Sequence, residues 1–245
     1  MNAPTPRRVF LSTAGSTLLA RSDLAGRLRR STRGEVLFDA FSRGRYSTDA
    51  SIYQVEPVGV FVPRTEQDVL DAIDIARELR VPILPRGGGT SQCGQTVGEA
   101  LVIDCSRHLA GIGDLDLDAR TVTVQPGVVL DALNAFLKPH GLWFPVDVST
   151  SAQATIGGMA GNNSCGSRSI HYGNMVHNVA GIDAVLSDGT QAYFGRFGDG
   201  GDMAVSGRRL AELVPTLFTI AARERDEIER LWPKVLRRVG GYNLD

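Results

Sequence analysis

Cysteine is scarce and scattered in these 245 residues. Cys93, Cys105 and Cys165 are odd in number, far apart and without a C-x-x-C pair, so neither a disulfide framework nor a zinc or iron–sulfur cradle is legible. A reducing compartment is the expectation. Neither sign of charge is in excess: 26 Lys+Arg stand against 27 Asp+Glu, a formal net charge of −1. No overall field therefore draws the chain to nucleic acid or to an anionic membrane, and any anion must be bound locally. No apolar run approaches the ~20 residues of a membrane helix. Histidine is also sparse. His108 and His140 stand alone, and the six-residue spacing of His171 and His177 around a YGN turn matches no ligand pattern, so no metal site is expected. Asp104 and Asp188 read as strand-end and turn residues, and no catalytic base is assigned.

What is present is an ordinary composition for one large or two small domains, 42% hydrophobic and 22% charged. Arg7-Arg8-Val9-Phe10-Leu11 before STAGSTLLA resembles a twin-arginine export signal, but its apolar stretch is short and interrupted, with no convincing cleavage site. The alternative is a flexible leader running into a short amphipathic helix capped near Ser22 or Asp23. A cytoplasmic location is expected, with peripheral membrane association and export as alternatives.

Val58 to Val62 reads as a strand ending at Pro63. Thr65-Glu66-Gln67-Asp68 then forms a capping-box pattern, and Val69, Leu70, Ile73, Ala76 and Leu79 recur at helical spacing. Val81 to Leu84 reads as the second strand of a β-α-β unit, with a glycine loop directly after it. Leu101 to Asp104 and Thr121 to Val124 are further strands. VVLDALNAFLKPHG is helical, with Gly141 as its stop. The stretch from Ser149 to Gly173 holds five glycines and is expected to be a mobile loop unless something orders it. Gly181 to Phe194 reads as a hairpin turning at Ser187-Asp188-Gly189, and Arg208 to Arg238 as helical. The class is α+β.

The glycine loop, PRGGGTSQCGQT from Pro85 to Thr96, matches the phosphate loop G-x-x-x-x-G-K-[ST] except at its lysine, which is Gln95. That lysine carries the positive charge for phosphoryl transfer, and no helix follows the loop, so a nucleotide hydrolase is disfavoured. The Rossmann spacing fails too, with Gln92 in place of the third glycine. Consecutive glycines still let backbone N–H groups converge on an anion. At ~1.5–3 kcal/mol for each hydrogen bond to a charged group, three or four account for most of the roughly 8 kcal/mol of micromolar binding. A tight turn between strands is the structural alternative. In the second glycine-rich stretch, Thr155, Ser164 and Ser169 offer hydroxyls and Asn162 and Asn163 amides, a set suited to the rim of an isoalloxazine or adenine ring.

PRGGGTSQCGQT and LVID, then STSAQATIGGMAGNNSCGSRSIHYGN and VLSDG, together resemble the p-cresol methylhydroxylase-type FAD-binding domain. The likeness is nearest to the FAD-linked D-2-hydroxy-acid dehydrogenases, which oxidise D-lactate, glycolate or D-2-hydroxyglutarate. It covers about residue 35 to the last residue. YSTDASIYQVEPVGVFVPRTEQDV is similar to that domain's entry strand and first helix, and RVGGYNLD to a linker in members with a further iron–sulfur domain.

The resemblance implies a leader and helix over 1–34 and an FAD-binding domain over 35–245, with a small β-α-β subdomain near 51–118 and a larger mixed one over 119–245. It implies that Pro85, Arg86, Gly87, Gly88, Gly89, Thr90, Ser91, Gly94 and Gln95 wrap the pyrophosphate. Pro145, Asp147, Ser149, Thr155, Ile156, Gly157, Gly158, Asn162, Asn163, Gly166, Tyr172 and Gly173 would follow the flavin and its ribityl chain. Some relatives attach flavin to a histidine where this chain has Thr90, so non-covalent FAD is implied. The implied partners are a small 2-hydroxy acid and an electron acceptor of unstated identity. The family's later G-S-E-G-T-L-G motif and its substrate cap do not occur here. A fragment, inactive alone, is therefore the expectation, with any iron–sulfur cluster outside it. The alternative is a non-catalytic flavin-binding or structural module.

Overall fold

The computed structural model describes residues 14–195 and 208–235. The Arg7-Arg8 pair and the RVGGYNLD segment lie outside the described residues.

Helix α1 (Ala14–Ser31) leads into strand β1 (Glu35–Leu37), helix α2 (Ala40–Arg45) and strand β2 (Gly59–Val62). Helix α3 (Glu66–Glu78) and strands β3 (Ile83–Arg86) and β4 (Leu101–Asp104) complete a four-stranded sheet of order β1-β2-β4-β3. Strand β1 is antiparallel to β2, whereas β2 and β3 both run parallel to β4. The two strands flanking α3 are thus not neighbours, because β4 enters between them. Both β2 and β4 are buried along their whole length, as a central parallel strand covered on two faces requires. Phe61, Leu101 and Ile103 pack with Leu24 and Leu28 of α1 and with Ala72, Ile73, Ile75 and Ala76 of α3. Val60, Val62 and Val102 pack on the other face.

Helix α1 does not start near Ser22 or Asp23. Both are exposed and lie on the solvent face of a helix already under way, while Leu24, Ala25 and Leu28 are buried on the opposite one. Core packing, rather than a polar cap, sets its course.

The capping box at the start of α3 forms as its sequence indicates. Thr65 Oγ1 accepts from the Asp68 N–H at 3.2 Å, and Asp68 returns the contact at 3.1 Å. The Asp68 carboxylate, only 3% exposed, also accepts from the backbone N–H groups of Arg33 and Arg64, each at 2.9 Å. Burial acts to raise its pKa, but the backbone donors outweigh it and hold Asp68 below the usual carboxylate range. Asp68 therefore contributes stability that is full above the unfolded carboxylate pKa and is lost as pH falls through the lowered folded value. We predict that Asp68→Ala lowers stability by on the order of 2 kcal/mol near neutrality. It should also flatten the acid limb of a melting-temperature profile, which is the measurement that checks it.

A second core follows. Strands β5 (Ile112–Asp116) and β6 (Thr121–Val124) form a hairpin, and helix α4 (Leu130–Leu137) runs into a 3-10 turn (Lys138–His140) closed by Gly141 at φ 70°. Helices α5 (Ile156–Gly161), α6 (Ser169–Tyr172) and α7 (Met175–Asn178) precede a second hairpin of β7 (Gly181–Val185) and β8 (Gln191–Gly195). Val128, Leu130, Leu133, Val146, Ile156, Met159 and Met175 bury together. The stretch from Ser149 to Gly173, read as a loop, thus contains two short helices, because Ala154, Ile156 and Met159 anchor it in this core. The hairpin turn at Ser187-Asp188-Gly189 is as expected, with Gly189 at φ 83°. Beyond it, the stretch read as helical from Arg208 forms α8 (Arg208–Arg223) and α9 (Arg225–Leu231), with a break at Glu224, and its last residues, 236–238, lie outside the described residues.

Candidate functional site

Arg86 ends β3 opposite Asp104, the end of β4, so the first glycine loop leaves from the carboxyl edge of the parallel strands. That edge is where open α/β sheets hold ligands. The Arg86 guanidinium does not point outward. It donates to the carbonyls of Tyr46 (3.2 Å), Thr48 (2.9 Å) and Thr96 (3.0 Å), and lies 5.2 Å from the Tyr46 ring centroid. Burial lowers its pKa, opposed by Asp104, Tyr46 and Asp49. Tyr46 in turn donates to Asp104 at 2.6 Å. Burial, then this acidic partner, pushes the phenol up to about 12, so it stays a donor. Asp49 accepts from Thr96 Oγ1 at 3.0 Å, closing a frame beneath the loop. Pro85 lies exposed before it.

The two glycine-rich stretches touch. A β-carbon on Gly87 would overlap Thr155 Oγ1, and one on Gly88 would overlap the carbonyl oxygen of Gln153. These two glycines therefore permit loop-on-loop packing, a role beside the ligand contact and the tight turn that the sequence suggested. Among the described residues, however, no acceptor takes the backbone N–H of Gly88, Gly89, Thr90 or Ser91. These N–H groups, and that of Gln92 after them, are therefore unengaged within the described residues. Gly94 lies against Tyr53.

Most polar groups of the second stretch face one another. Thr155 is 2% exposed and caps α5 by accepting from the Gly158 N–H at 3.3 Å. Ile156 and Gly157 donate to the carbonyls of Val128 and Pro126, each at 2.8–2.9 Å. Asn162 donates to Ser164 Oγ at 3.1 Å and accepts from Gln95 Nε2 at 2.9 Å. Asn163, at φ 46°, accepts from the Val176 N–H, and Ser169 Oγ accepts from Gly166 N. The hydroxyls and amides that the sequence suggested for the rim of an isoalloxazine or adenine ring are mostly engaged in ordering the stretch itself.

Asp147 accepts from Ser167 Oγ (2.8 Å) and the Arg168 N–H (3.0 Å), with Gly166 packed directly against it. Burial would raise its pKa, but these hydrogen bonds and the Arg168 charge hold it below the ordinary range. Ser149 is exposed and Pro145 half-buried on the same segment. Arg168 lies 5.0 Å over the ring of Trp143, which meets Tyr172 edge-on at 5.2 Å, and Tyr172 meets His171 at 4.5 Å. His177 is structural: its Nδ1 accepts from the Asn174 N–H at 3.0 Å, and its ring covers Gly173. His108 pairs with Glu35 at 2.8 Å. Among the described residues, no group of histidine, cysteine, aspartate and glutamate side chains converges to hold a metal ion. No described helix is long and apolar enough to cross a membrane.

Sequence reasoning missed Tyr46, Asp49 and Asp104 as supports of the first loop, and Trp143 and Arg168 beside the second. No local pattern marks them, since the partners that engage Tyr46, Asp49 and Arg168 lie 21 to 58 residues away.

A family model described as an FAD binding domain matches residues 57–195, the span that holds both glycine loops and both hairpins. The chain belongs to the FAD binding domain family. It is 35% identical over 217 residues to the D-2-hydroxyglutarate dehydrogenase of Pseudomonas putida, covering 86% of this chain and 22% of that protein. It is 40% identical over 157 residues to glycolate oxidase subunit GlcD of Bacillus subtilis, covering 62% and 33%. The chain of this FAD binding domain spans about a fifth of the length of the D-2-hydroxyglutarate dehydrogenases it matches. Among solved structures it is similar to an alkyldihydroxyacetonephosphate synthase (TM-score 0.63, 19% identity, 71% of this chain and 38% of that one). A Physcomitrella patens BBE-like 1 protein gives TM-score 0.61 at 21% identity over 70% and 37%. At such identities these likenesses establish the fold, and the α+β class agrees with the sequence reading.

Proposed function

We propose that this chain is the FAD-binding portion of a flavin-dependent oxidoreductase that oxidises a D-2-hydroxy acid of the D-lactate, glycolate or D-2-hydroxyglutarate class. The observation that carries the cofactor assignment is the run of four backbone N–H groups from Gly88 to Ser91 that no described residue engages. They suit the two charges of a pyrophosphate without any lysine. The half-buried loop and its rigid frame mean that little order has to be gained on binding.

Gly87 and Pro85 would set the exit of the loop, and Gly94 its return. Exposed Gly158, with Asn162 and Asn163, would border the ring system, and Pro145, Asp147, Ser149, Tyr172 and Gly173 its far side. Thr155, Ile156, Gly157 and Gly166 would act from behind, as the packing that holds this border in place. Arg86 would position the loop through three carbonyls instead of meeting phosphate. Bound FAD would supply the acceptor for the hydride leaving C2 of the hydroxy acid. Thr90, an alcohol without a neighbouring base in this loop, favours a non-covalent cofactor. The D-hydroxy-acid assignment is supported by the names of the D-2-hydroxyglutarate dehydrogenase, D-lactate dehydrogenase and glycolate oxidase relatives. The electron acceptor would be a separate carrier, and the three free cysteines do not suggest a cluster within this chain.

Incubation of the purified chain with FAD, followed by desalting, is expected to leave a yellow protein with one flavin per chain, all of it released on acid precipitation. The longer protein that carries this portion should bleach under a D- but not an L-hydroxy acid. A chain that stays colourless at saturating FAD sinks the cofactor assignment. Flavin that stays with the precipitate overturns non-covalent attachment.

A further inference from the structure

We propose that Gln95 is a positioning residue that latches the tip of the first glycine loop to the second, setting the cleft before any cofactor arrives. The inference rests on the FAD reading above and deepens it. The Ser91 hydroxyl donates to Gln95 Oε1, Gln95 Nε2 donates to Asn162 Oδ1 at 2.9 Å, and Asn162 Nδ2 donates to Ser164 Oγ at 3.1 Å. Ser164, 8% exposed, is the buried end of this relay. Every donor in it points the same way along the chain of bonds.

The amide at position 95 fills both roles of this arrangement. It must accept from Ser91 and donate to Asn162 at once. Lysine has donors alone and an ionised glutamate acceptors alone. With both ends engaged, the Gln95 side chain is not aimed at a phosphate, so the residue that stands where a phosphate loop has lysine does different work. The loops already meet at their roots, where Gly87 and Gly88 pack on Thr155 and Gln153. The latch adds a second attachment, eight residues beyond Gly87 in the chain. The unengaged N–H groups of Gly89 to Ser91 lie between the two attachments in sequence. Gln95 is exposed and belongs to no core, so its loss should alter loop spacing while sparing the fold.

The test uses Gln95→Ala, Asn162→Ala, their double variant, Gln95→Lys, and the exchanged pair Gln95→Asn with Asn162→Gln. Amide exchange is followed in the chain without FAD at Asn162, Asn163 and Ser164, whose N–H groups bond within this turn. FAD affinity is measured separately. Each alanine variant should accelerate exchange and weaken FAD by about three- to tenfold, the range one neutral hydrogen bond supports. The double variant should lose no more than Asn162→Ala alone, which already breaks the Gln95 link together with its own bond to Ser164. The exchanged pair keeps the total side-chain length and should restore affinity. Gln95→Lys should weaken FAD despite its added charge. Tighter FAD binding by Gln95→Lys, additive losses in the double variant, or unaltered exchange in Gln95→Ala would each overturn the latch. If the unaltered chain binds no FAD, the cofactor reading fails, and the exchange measurement still decides the latch by itself.

Discussion

Arg86→Met is expected to lower the melting temperature by roughly 6–12 °C, from a loss on the order of 3 kcal/mol at ~2–4 °C per kcal/mol for a chain of this size. The reason lies in what the guanidinium holds. It joins the carbonyls of Tyr46 and Thr48, beyond α2, to that of Thr96, at the far end of the first glycine loop. Hydrogen bonds from a charged donor are worth ~1.5–3 kcal/mol each, and the partial exposure of the Thr48 contact reduces the sum. Methionine retains the length and the contact with Tyr46 but leaves three carbonyls without a donor. The loop also wraps this side chain, since Gly89 takes φ 65° with its Cα facing the guanidinium. Arg86→Lys keeps the charge but not the planar fork, so an intermediate loss is expected. Thermal unfolding of the three proteins checks the order. Equal melting temperatures for Arg86→Met and the parent would remove Arg86 from its bracing role.

Gly88→Ala should abolish measurable FAD binding at micromolar concentration while lowering the melting temperature by roughly 4–8 °C, for an overpacking penalty of ~2 kcal/mol. The new methyl would meet the Gln153 carbonyl, with its carbon only 2.9 Å away. Backbone cannot swing aside like a flexible side chain. The two glycine stretches must separate, and the N–H groups that follow Gly88 turn with them. Gly98→Ala is the matched control close by in the chain, because there a β-carbon would meet only Leu84 Cδ2, at 3.6 Å. That variant should bind FAD like the parent. FAD titration of both, beside their melting curves, separates an effect on the cleft from one on the fold. Full binding by Gly88→Ala would show that the root contact is not needed.

The elements around these sites differ in how local their determinants are. Strands β2 and β4, helix α3 with its Thr65 cap, the Gly141 stop and the turn at Gly189 are legible in the sequence because each is specified by residues within a few positions. Strand β1 and helix α2 escape such a reading, being short and half-buried at most. Strand β5 escapes with them, since IGDLD carries only two inward-facing apolar residues. The insertion of β4 between β2 and β3 does not follow from order along the chain. Helices α5 and α6 are hidden for another reason: glycine and serine weaken helix propensity, and here Thr155, Asp147 and the buried Ile156 outweigh that weakness from outside.

The sequence by itself determined the α+β class, the two glycine-rich stretches and the absence of a phosphate-loop lysine, all of which follow from local composition and spacing. Only the tertiary structure decided what those residues do. Gly87 and Gly88 are bare because Thr155 and Gln153 press on them, Gln95 is an amide facing Asn162, and the serines and asparagines bond to one another. A hydrogen bond has one donor and one acceptor, and which pairs form depends on contacts made across 67 residues. The N–H groups of Gly88 to Ser91, by contrast, take no acceptor among the described residues.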